Sequence, residues 1–90
     1  MSVYEQLLAI DWPPEFMVEY VDGSRELLLR GNGVALSPPA DDPEGVGGLS
    51  AELPRRNPRN RRLVRWVRFS ELRAVRTVGG GKLWPIAEPG

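Results

Sequence analysis

Hydrophobic and polar positions change period several times along these 90 residues, and each change marks an element. Val3, Tyr4, Leu7, Leu8 and Ala9 recur at the i, i+3, i+4 spacing of a helix face. Ser2 and Glu5 stand three apart, the capping-box spacing in which the hydroxyl accepts from the Glu5 backbone N–H. Pro13 and Pro14 cannot extend a helix, and Trp12 before Pro13 is pushed toward extended backbone. The pattern predicts a helix over residues 2–10 whose apolar stripe lies as a lid on one end of a sheet.

From Glu15 the period drops to two, with Phe16, Val18 and Tyr20 on one face and Met17, Glu19 and Val21 on the other. Asp22-Gly23 follows, a pair suited to a type I′ hairpin turn because both central residues need positive φ. Residues 25–30 form the return strand, and Gly31-Asn32-Gly33 turns the chain into Val34-Ala35-Leu36. Residues 15–36 therefore read as a β-meander. The stretch 37–61 is different. Pro38, Pro39, Pro43, Pro54 and Pro58 cannot donate to a ladder, and Gly45, Gly47 and Gly48 add backbone freedom. A long mobile loop is expected there, with a brief extended piece around residues 49–53.

The longest run of strand-forming residues spans 61–78 and holds six of the twelve basic side chains. Val64 and Trp66 share one face, and Leu63, Val67 and Phe69 share the other, with Arg65 and Arg68 interrupting. A strand apolar on both faces fits a central place in a small, strongly curved sheet. A helix across 66–76 competes, since Phe69, Leu72, Val75 and Arg76 also fit helical spacing, but the β-branched residues favour strand. Ser70-Glu71-Leu72 reads as one tight turn capped by Ser70, after which 73–78 resume extended structure. Gly79-Gly80-Gly81 then turns the chain into residues 82–86, where Pro85 confines the strand to an edge.

The pattern Val67-x-Phe69-x-Glu71-Leu72-x-x-Val75 resembles the strand–turn–strand that closes small SH3-like barrels, Sm-like and YolD-like proteins in particular. The resemblance covers residues 1–36 and 62–86. It implies a mainly β domain: a small antiparallel, partly open SH3-like barrel with a short N-terminal helix and a long Pro/Gly-rich loop. That proline-rich stretch falls outside the Sm-like pattern, and no functional residue carries over from the resemblance.

Ninety residues make one domain, and seven aromatic side chains suffice for one small core. The absence of cysteine removes disulfides, thiolate metal sites and thiol nucleophiles, and the absence of histidine removes the commonest general base. Gly79-Gly80-Gly81 precedes a strand-like segment, so no helix N-terminus would cradle a phosphate there. Asp41, Asp42 and Glu44 lack the ordered spacing of a calcium loop. The expectation is a non-catalytic protein with no cofactor and no metal site. No apolar stretch approaches the roughly 18 residues of a membrane span, and the N-terminus lacks the pattern of a signal peptide. A cytoplasmic protein with no membrane partner follows as the expectation.

Charge changes the picture further. Residues 1–52 carry ten acids against Arg25 and Arg30, a net of −8; residues 53–90 carry ten bases against Glu71 and Glu88, a net of +8. Five arginines fall within residues 54–62. Arg55, Arg56, Arg59, Arg61, Arg62, Arg65 and Arg68 are the candidate phosphate contacts for DNA or RNA, with Trp66 as a stacking surface. An alternative is a protein-interaction or self-assembling module that sets its acidic half against the basic half of a partner, including a second copy. A third reading needs no partner: the two halves become neighbours in the fold and neutralise one another.

Overall fold

Ser2 caps the first helix as its spacing predicts, its Oγ accepting the Glu5 N–H at 3.2 Å. The computed structural model describes residues 2–56, 58–59 and 61–85, with Arg56 described in its backbone only. Helix α1 (Val3–Leu8) ends two residues short of the predicted boundary. It turns Leu7 fully into the core, and Trp84 Nε1–H donates to Gln6 Oε1 at 2.7 Å. The helix thus closes one end of the sheet.

Strands β1 (Glu15–Tyr20) and β2 (Arg25–Leu29) form the predicted hairpin. Its loop has three residues, not two. The Tyr20 N–H donates to the Ser24 carbonyl at 2.8 Å, and the Gly23 N–H to the Tyr20 carbonyl at 2.9 Å, with Gly23 at φ 91°. This replaces the expected type I′ turn, and only one left-handed position is needed. Asp22 Oδ1 fixes the loop by accepting the Ser24 N–H and hydroxyl.

Strand β3 (Ala35–Ser37) does not continue a meander. It pairs with β4 (Gly48–Arg56), which also meets β2 through Leu29 and Glu52. Ten residues of the stretch predicted as loop, Ser37 of β3 and the nine of β4, are therefore strand, and the brief extended piece at 49–53 lies within β4. Pro54 is tolerated because the ladder between β4 and β5 (Arg62–Arg68) shifts register between Glu52 and Arg56, so the proline opposes no registered partner. The acidic loop before β4 is pinned rather than simply solvated. Asp42, its side chain 3% exposed, accepts backbone N–H groups from Glu44, Val46 and Gly47. These bonds, with Arg68 nearby, outweigh the burial that would raise its pKa and hold the carboxyl below the usual range.

After β5 a single 3₁₀ turn (Phe69–Glu71) leads into β6 (Leu72–Thr77), then β7 (Lys82–Trp84). Ser70 lies inside that turn; the capping position belongs to Arg68, which makes no side-chain cap. The order β3-β4-β2-β1-β6-β7, with β5 on the other side of β4, gives an antiparallel sheet curled into a half-barrel. Mainly β, with one short helix, it has the expected small, partly open SH3-like form. Phe16, Val18, Leu28, Leu49, Val67 and Val75 are fully buried on the inner face, where Leu7 meets them. Among the described residues no helix is long and apolar enough to cross a membrane.

Two features of this sheet position the candidate site. Beyond Glu52, β4 keeps only β5 as a partner, so the two strands continue as a two-stranded arm. The other edge of β5 pairs with nothing among the described residues, and Arg65, opposite the buried Ala51, points inward from it. An inward-pointing charge is one way a sheet blunts an open edge.

Candidate nucleic-acid interface

Alternation along β5 separates the predicted residues. Arg62, Val64, Trp66 and Arg68 lie on the outer face, opposite Arg56, Glu52, Ser50 and Gly48 of β4. Val64 is 60% and Trp66 40% exposed. The indole rests on Gly48, where an added Cβ would come within 2.7 Å of the ring and 2.5 Å of the Val67 carbonyl. Replacing Gly48 with alanine is therefore expected to cost about 1 kcal/mol and to shift the ring. Tryptophan emission and thermal unfolding of the variant would check this.

Each arginine of β5 meets an acid from the first half of the chain. Arg62 Nη1 donates to Glu52 Oε1 at 3.0 Å. Arg68 Nε stands 3.1 Å from Glu44 and 3.8 Å from Asp42. Arg65 makes a fork to both oxygens of Glu26, each at 3.0 Å, and the Tyr20 hydroxyl donates to the same carboxylate at 2.7 Å. Burial works against ionised Glu26, but the bonds from Arg65 and Tyr20 prevail and keep its pKa below the usual carboxylate range. Burial and the adjacent carboxylate raise the Tyr20 pKa, and the same carboxylate raises that of Arg65. Intramolecular neutralisation is thus what the fold does with much of the charge asymmetry.

The arm carries the rest of the predicted set. Arg55, Arg59 and Arg61 are exposed, and Arg56 and Arg62 face one another across the ladder. The contact assigned to the Arg56 side chain lies outside the described residues. Within 52–62 five arginines accompany one acid, Glu52. Between the base of the arm and the β1–β2 loop lies a cleft of about 630 Å³, lined by Tyr20, Val21, Arg25, Arg65, Trp66 and Glu71 among others.

A second cationic group was not legible in the 55–68 segment. Glu19, on the outer face of β1 and 7% exposed, is approached by Arg25, Arg73 and Arg76. The Glu19–Arg25 pair could have been found from the hairpin, since the two residues face one another across it. Arg73 and Arg76 arrive from β6, more than fifty residues later, and no local pattern announces them. No protein family, curated protein or solved structure matches the chain.

Proposed function

We propose that this is a non-catalytic module that binds single-stranded nucleic acid along the β4–β5 arm. The observation that carries the reading is the arm itself, a two-stranded ribbon end with five arginines and one carboxylate. Guanidinium groups at that density attract a phosphodiester backbone and release its counterions. Trp66, half-exposed on the outer face between Arg62 and Arg68, adds a flat apolar surface on which a base stacks. Arg65 drops out of the contact set: it points inward and its fork is committed to Glu26. The alternative, docking an acidic half onto the basic half of another copy, has less support because several of those charges already meet within one chain.

The test is a titration of the protein with single-stranded DNA and RNA between about 50 and 300 mM salt. Three to five phosphate contacts predict a slope of roughly −2 to −3.5 in log affinity against log salt. Absence of binding at the lowest salt removes the proposal.

A further inference from the structure

Three guanidinium groups share one carboxylate on the outer face of the sheet. Glu19 projects from β1 between its two neighbours, with Arg25 opposite it on β2 and Ala74 opposite it on β6. Arg25 Nε donates to Glu19 Oε1 at 3.0 Å. Arg73 and Arg76 each bring Nε to 3.5 Å from a Glu19 oxygen. The Arg76 Nε is shut off from solvent and has no hydrogen-bond partner. Among the described residues, Glu19 is the one acid within ion-pair distance of these three arginines. Lys82 is registered against Arg76 from β7 and adds a fourth cation to the same region.

The arithmetic of charge is uneven. One carboxylate neutralises one guanidinium and leaves an excess of two positive charges where like charges already crowd. Glu19 is nearly buried, yet the Arg25 and Arg73 side chains are 56% and 63% exposed, so their terminal nitrogens are open to a visitor. Guanidinium forks match the oxygens of phosphate, and a dianion would balance the excess. We infer that Arg25, Arg73 and Arg76, gathered by Glu19, form a binding site for a phosphate oxyanion, with the doubly charged monoester preferred over the singly charged diester. Glu19 is the positioning residue: it draws the three side chains together and leaves the outer ends of Arg25 and Arg73 unspent, while Arg76 Nη1 donates to the Gly80 carbonyl at 3.4 Å. Arg25 also lines the cleft at the base of the arm, but the site is built on β1, β2 and β6 and does not depend on the arm's arginines.

Two small probes separate the sources of such a phosphate. Methyl phosphate represents a monoester, as on a phosphorylated metabolite or a nucleic acid end, and dimethyl phosphate represents the nucleic acid backbone. The readout is the arginine Nε–H signals of the full chain by nitrogen-15 NMR at low salt, with chloride as the control. Signals of Arg25, Arg73 and Arg76 are expected to move together and saturate with methyl phosphate at millimolar concentration, while those of Arg62 and Arg65 stay in place. Dimethyl phosphate is expected to bind about tenfold more weakly, and Arg73→Gln, at the most exposed of the three, to weaken methyl phosphate about tenfold as well. Arg25→Gln provides a second variant with the same expected direction. A non-saturating drift of all arginine signals, equal affinity for both esters, or unchanged affinity in both variants would overturn the site. Loss of single-strand binding by the arm would leave these results untouched.

Discussion

Replacing Arg55, Arg59 and Arg61 together with glutamine is expected to weaken single-strand binding by a few hundredfold at about 50 mM salt. Each phosphate contact on a single strand contributes about 0.7 to the salt slope, so losing three flattens the slope by about 2. All three side chains are exposed, so the substitutions spare the core. Circular dichroism of the variant should match the parent. Contact with bases through Trp66, with Arg56 and Arg62 still in place, should survive as a weaker binding whose salt slope is about −1.4 or shallower. Arg65→Gln removes one charge from the same segment and provides the contrast. Because its guanidinium is already held by Glu26, this change should leave the slope nearly unaltered and lower stability instead. An unaltered slope in the triple variant would mean that the arm does not touch phosphate.

The second large effect concerns stability. Glu26→Ala is expected to destabilise the fold by about 2 kcal/mol, between the cost of breaking a fully buried ion pair and that of an exposed one. Glu26 is 24% and Arg65 42% exposed, which sets the pair between those limits. The alanine leaves an inward guanidinium without its fork and the Tyr20 hydroxyl without its acceptor. For a domain of this size the melting temperature should fall by about 8–16 °C. pH supplies the signature. The Glu26 pKa is lowered in the folded state, so its contribution is complete above the unfolded value near 4.3. It is lost as pH falls through the folded value. The gap between parent and variant should therefore be full at pH 7 and shrink below about pH 4. An equal gap at pH 7 and pH 3, measured by urea unfolding, would show that lost packing rather than charge is responsible.

Local signals in the chain were reliable where one residue decides one bond. Ser2 with Glu5, the Asp22-Gly23 loop and the alternation of Phe16 and Val18 all led to the right elements, though the loop gained a residue. The strand over 63–69 and the closing turn also emerged, because β-branched residues cluster there. What stayed hidden depends on distance along the chain. Strand β4 looked like loop because Gly48 and Pro54 are poor strand residues taken alone. Gly48 is there to admit the Trp66 ring, and Pro54 falls in a register shift. Asp42 looked like a wet loop acid, yet it holds three backbone N–H groups that only the folded loop brings together. Of the candidate site, the arginine-rich arm was legible as composition. The inward turn of Arg65 needed the register with β4, and the Glu19 cluster needed β1 to lie beside β6.

That last pairing governs how the chain can be made. Residues 15–20 find one neighbour almost at once, in the hairpin, but the other is supplied by residues 72–77. A nascent polypeptide halted before residue 72 would hold Val18 without Val75 above it and Glu19 with a single guanidinium in place of three. The half-barrel therefore closes only once residues 72–77 have been made, and a product that stops before residue 72 would have an unfinished core and a Glu19 without Arg73 and Arg76.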